Sequence, residues 1–248
     1  AIQQNCNVPV NPQNCNSDNS GVIGDKGGHA IGDYGISDHE VTDPNSAPIY
    51  RRLGANYVHE FTHTVQGSQF LNASLAHPDI SHNQAGQLMN DNMPCWIIEG
   101  QANFAGASAV SNDFATYSQI RLAELIRTTD PNMPQYTPDL IKTYLTTQIP
   151  GQCRPSGMHN RAGSSLATAY NLGYSVGMLA IETLSAIAGP KPTMALYTLV
   201  ASGDDFATAF KKIYGVTWDS AATTIANVIA FDYEQPDVKS QVVPGLAP

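Results

Sequence analysis

The chain has 248 residues, 42% of them apolar and 13% charged, which is enough for one well-formed core and at most two small domains. Twelve Lys and Arg stand against 21 Asp and Glu, a formal charge of −9 with no basic run, which argues against nucleic acid and anionic membrane surfaces as partners. No apolar stretch approaches the ~20 residues of a membrane-spanning helix.

Residues 1–46 carry Pro9, Pro12, many Asn and a Gly-rich run from Gly21 to Gly35, and read as irregular chain with one short strand around 29–36. The four cysteines, Cys6, Cys15, Cys95 and Cys153, form neither a CxxC nor a Cys/His cluster, so disulfides are expected, paired Cys6 with Cys15 and Cys95 with Cys153. With a surface rich in neutral polar residues and a start at Ala1 without Met or leader, they lead to the expectation of a secreted chain from which a leader or an upstream segment has been removed.

From residue 47 the pattern becomes helical. Ile49, Leu53, Tyr57 and Phe61 recur at i, i+4 spacing, and Pro48 and Gly67 suit a start and a stop, so one helix is predicted over 47–66. A polar, loop-rich connection follows to Asn92. Pro94 opens a helix through about Val110, and another is predicted over 112–128 with Asn112 as its cap. Further helices are predicted over 138–147, 164–188, 192–201, 204–213 and 218–230, with Gly189-Pro190 a firm break and Gly203-Asp204-Asp205 a helix cap. The tail from 235 should be extended. The fold class is therefore mainly α, α+β at most, with an irregular segment 1–46, a helical domain 47–234 and a tail 235–248.

One segment of the first helix carries chemistry: His59-Glu60-Phe61-Thr62-His63 is an HExxH pattern. Positions i and i+4 of a helix project from one face, so both imidazoles can reach a single tetrahedral ion, for which zinc is the natural occupant. Glu60 is carried beside that ion, where its carboxylate can take a proton from water. The extended pattern HExxHxxGxxH fails, because Gln66 and Gln69 stand where Gly and His are required, which excludes a metzincin. A third ligand is needed, and Glu99 in Trp96-Ile97-Ile98-Glu99-Gly100 supplies one from a second helix; His77, Asp79 and His82 are the alternatives.

Together, His59, Glu60 and His63 followed by Trp96-Ile97-Ile98-Glu99-Gly100 resemble the gluzincin metallopeptidases, the thermolysin-like and peptidase MA-like group. The resemblance spans roughly 47–230 and implies zinc on His59, His63 and Glu99 with Glu60 as general base. Thirty-five residues separate His63 from Glu99, longer than in thermolysin or aminopeptidase N relatives and closer to clostridial collagenase-like members. Asn103 follows Glu99 by one turn, where thermolysin-like members carry an Asp that accepts a hydrogen bond from a ligand imidazole; an Asn oxygen can accept it without charge. Tyr170-Asn171-Leu172-Gly173 is similar to the YxxG segment whose Tyr donates to the oxyanion in aminopeptidase N-like members, which implies Tyr170 in that role, with Tyr174 and His159 as alternatives.

Two departures bear on function. Little strand-forming sequence precedes the HExxH helix, where gluzincins place a substrate-binding sheet, and the GxMEN segment that holds a free amino terminus in aminopeptidases is absent. The expected function is zinc-dependent hydrolysis of peptide or protein substrates, as an endopeptidase. A non-catalytic, zinc-stabilised scaffold or binding protein is the alternative.

Overall fold

The computed structural model describes residues 20–25, 28–33, 49–76, 85–127, 136–147 and 166–235, and the chain is mainly α-helical. Strands β1 (Ser20–Asp25) and β2 (Gly28–Asp33) pair antiparallel, with Ser20 opposite Asp33 and Asp25 opposite Gly28. Their apolar centres, Val22-Ile23 and Ala30-Ile31, are bounded by Gly and Asp, which suits a short hairpin. The single strand expected near 29–36 is therefore the second arm of a pair.

The helix expected over 47–66 is broken in two, α1 (Ile49–Arg52) and α2 (Ala55–Ser68). Gly54 sits between them at φ 79°, a left-handed conformation that glycine adopts without steric cost. The apolar stripe that signals this helix lies on its outer side: Leu53, Tyr57 and Phe61 are 42%, 51% and 55% exposed. Ala55, His59, Thr62 and Gln66 form the buried face instead. The hairpin lies alongside α2. Two short helices, α3 (Leu71–Ala76) and α4 (Ala85–Asn92), occupy parts of the connection expected to be loop.

The centre of the fold is α5 (Cys95–Val110), which begins at Pro94 as expected. Nearly every side chain from Cys95 to Asn103 is buried, because α2 covers one side of this helix and α8 (Leu166–Ala188) the other. Residues that are apolar around a whole helix suit only such an interior position. The α5–α8 crossing is tight enough to require glycine: a Cβ on Gly100 would fall on the Gly177 backbone.

Around this centre pack α6 (Phe114–Arg127), α7 (Pro138–Thr146), α9 (Lys191–Ala201), α10 (Phe206–Tyr214) and α11 (Trp218–Tyr233). Asp113, not Asn112, caps α6, its Oδ1 accepting from the Thr116 amide at 2.7 Å. Asp205 caps α10 by the same device at 2.9 Å, in the segment expected to do so. The main core includes Trp96 stacked on Trp218, ring centroids 5.1 Å apart. Arg121 ties three helices together: its Nε donates to Glu182 of α8 at 2.9 Å and its Nη2 to Asp232 of α11 at 2.6 Å.

Of the cysteines only Cys95 lies among the described residues, buried in the first turn of α5, and no free thiol is found there. The expected pairings involve Cys6, Cys15 and Cys153, which lie outside the described residues, as do the tail from 236 and most of the N-terminal segment.

Candidate metal centre

His59 and His63 stand one turn apart on α2, and Glu99 approaches them from α5. The His59 and His63 Nε2 atoms are 3.0 Å apart, and Glu99 Oε2 lies 3.4 Å from each. Metal–ligand bonds of about 2.0–2.1 Å in a tetrahedron put neighbouring ligand atoms about 3.3 Å apart, so this triangle has the size of one face of a zinc site. The three residues could hold a metal ion.

Hydrogen bonds behind the two rings fix which nitrogen faces inward. His59 Nδ1 donates to Asn103 Oδ1 at 2.8 Å, and the Asn103 amide is held in that sense because its Nδ2 donates to Glu124 Oε2 at 3.1 Å. His63 Nδ1 donates to Gln66 Oε1 at 2.9 Å, while Gln66 Nε2 donates to the Ile98 carbonyl at 3.0 Å. Neutral imidazoles so arranged turn two bare Nε2 lone pairs towards Glu99 Oε2, which is buried without a hydrogen-bond partner. Three acceptors so grouped are a set that a cation could bridge.

The electrostatics of the bare chain run the same way. Burial lowers the His63 pKa, but the Glu99 carboxylate, the Gln66 hydrogen bond and the charge of Glu60 outweigh it and raise His63 from 6.5 to about 8. Burial pushes Glu99 up, yet the two facing imidazoles hold it well below the ordinary carboxylate range. Without a metal, a proton on His63 supplies the positive charge beside Glu99.

The other expected residues fall as follows. Glu60 is half-buried and near enough for its charge to raise His63. Asn103 is 2% exposed and touches His59 as described. Tyr174 lies against the site, its ring stacked on His59 with centroids 5.7 Å apart. Tyr170 belongs to α8 one turn earlier, and its side chain is outside the described residues, as are His159 and the rival ligands His77, Asp79 and His82.

Sequence reasoning missed several residues around the site, among them Tyr50, whose hydroxyl lies 3.4 Å from His59 Nδ1. Glu124 of α6 orients Asn103, and Gln66 orients His63. Gln101 is buried in α5 and accepts from Gln66 at 2.9 Å. Tyr197 of α9 is fully buried beside Gln66, and burial, with the Glu99 charge adding to it, pushes its phenol well above the usual value. A signal existed for Gln101, one of three polar residues, with Glu99 and Asn103, in the buried stretch of a largely apolar helix, and for Gln66, which shares a face with His63.

No protein-family model matches this chain, and no curated protein or solved structure is significantly similar to it.

Proposed function

We propose that the chain is a zinc-dependent peptidase of the gluzincin kind, acting as an endopeptidase, with His59, His63 and Glu99 as metal ligands and Glu60 as general base. The observation that carries this reading is the convergence of two Nε2 atoms and a buried carboxylate oxygen within 3.4 Å of one another, one residue along the helix from a second carboxylate. The donor set, two imidazoles and one carboxylate, is that of a catalytic zinc with an open position, and zinc so held acidifies water and polarises a carbonyl.

The chain's own residues have separable tasks. Asn103 and Gln66 keep protons on the outer nitrogens, so both inner nitrogens are free to bind. Glu60 takes a proton as the water oxygen adds to the peptide carbonyl carbon, then delivers it to the amine as the C–N bond breaks. A neutral hydroxyl donor is needed for the oxyanion. Tyr170 is the donor the family resemblance suggests, while Tyr174 is the tyrosine whose ring lies on His59, so Tyr170→Phe and Tyr174→Phe should be compared.

The test is digestion of a sequence-unbiased peptide mixture with the full chain, with and without a chelator, beside Glu60→Gln. Internal cleavage should vanish with chelation and return with zinc. Glu60→Gln should keep its zinc and lose about 10²–10⁴-fold in rate. Chelator-insensitive cleavage or normal turnover by the variant would contradict the reading, and tight zinc binding without cleavage of any peptide would favour the scaffold.

A further inference from the structure

The side chain behind His63 begins a chain of hydrogen bonds that ends on a different helix. Gln66 Nε2 donates to the Ile98 carbonyl at 3.0 Å and to Gln101 Oε1 at 2.9 Å. Gln101 Nε2 donates to Thr193 Oγ1 at 2.9 Å, and Thr193 Oγ1 donates to the Pro190 carbonyl at 2.6 Å. Gln66, Gln101 and Thr193 are all buried.

The direction of this chain is not arbitrary. Carbonyl oxygens only accept, so the Pro190 carbonyl claims the Thr193 proton, which leaves Thr193 Oγ1 as an acceptor and obliges Gln101 to present its amide nitrogen to it. Gln101 must then offer its oxygen to Gln66. The Ile98 carbonyl makes the same demand on Gln66 independently. Reversing either amide would set acceptor against acceptor in a buried site, at a cost greater than an ordinary hydrogen bond contributes. With Gln66 so fixed, its oxygen is the atom that faces His63 Nδ1.

From this geometry we infer that Gln66, Gln101 and Thr193 are positioning residues that set the tautomer and ring orientation of His63, anchored at the first turn of α9. This rests on the reading of His59, His63 and Glu99 as a metal site. Thr193 touches none of the three ligands, so its influence on the ion would travel through the two carboxamides. Thr193→Val removes the acceptor for Gln101 at nearly constant volume, and Thr193→Ser restores it.

The experiment measures zinc affinity of the full chain by competition with a chromophoric chelator, together with imidazole ¹H–¹⁵N spectra of the zinc-loaded protein. Wild type and Thr193→Ser should bind alike and show the His63 proton on Nδ1. Thr193→Val and Gln66→Leu should bind zinc about 10–100-fold more weakly, with the His63 Nδ1–H signal shifted or lost. Wild-type affinity and an unmoved His63 signal in Thr193→Val overturn the inference even if Gln66→Leu fails to fold. A wild-type chain that takes up no zinc is a distinct result, which removes the metal reading and this inference with it.

Discussion

Gly100 and Gly177 meet where α5 and α8 cross, with the Gly177 backbone occupying the place a side chain on residue 100 would need. The contact lies one residue from Glu99. A Cβ on Gly177 would fall on the Trp96 carbonyl oxygen and lie 2.9 Å from Gly100 Cα, and neither backbone can turn aside as a side chain could.

Gly177→Ala should therefore destabilise the fold by about 1–3 kcal/mol in urea unfolding. Gly86→Ala is the control: it lies within α4 with nothing inside 4 Å of the added methyl, and should stabilise by about 0.4–1 kcal/mol. Equal effects at both positions would show that the crossing is looser than described.

Asn103 is expected to resist replacement by the acid that resembles it in shape. Its Nδ2 donates to Glu124 Oε2, so Asn103→Asp would bring two carboxyl groups together in a buried site while keeping the acceptor for His59. The variant should be less stable than wild type by about 2–4 kcal/mol at neutral pH, with the deficit shrinking as the pH falls and the pair takes up a proton. Unfolding curves from pH 4 to pH 8 test this. A pH-independent deficit would mean that charge is not the cause.

How far all this could be read in advance depended on the kind of signal. Helix positions followed from periodicity and from Pro94, Gly189-Pro190 and Asp205, and the triad from the HExxH spacing and one Glu in an apolar helix. The side of α2 that turns inward could not be read in the same way, because hydrophobicity nominates Leu53, Tyr57 and Phe61, whereas the buried face is built from His59, Thr62 and Gln66; Thr62 donates to the Val58 carbonyl one turn back, and His59 and Gln66 find partners far along the chain. Glu124 had no sequence signal at all. Its role depends on α6 packing beside α5, a tertiary fact.

Stability and zinc binding should respond to pH in opposite directions. Without an ion, the raised His63 contributes stability that is fully present below its unfolded value of 6.5 and is lost as the pH rises through about 8, a difference of about 2 kcal/mol. The depressed Glu99 contributes stability that is present above its ordinary 4.5 and is lost as the pH falls below it. The chelator-treated chain should thus melt highest between about pH 4.5 and 6.5 and lower by pH 8.5. Zinc competes with the His63 proton, so its affinity should rise over the same interval. Parallel trends in the two forms would contradict the shared site.

The most direct test of the central claim is the zinc content of the dialysed chain beside that of Glu99→Ala, with circular dichroism to confirm that both remain helical. Wild type should retain one zinc per chain, and X-ray absorption should find two imidazole nitrogens in its first shell; the variant should lose the metal while keeping its helices. Wild type without zinc, or a variant that keeps a full equivalent, would show that His59, His63 and Glu99 do not share an ion.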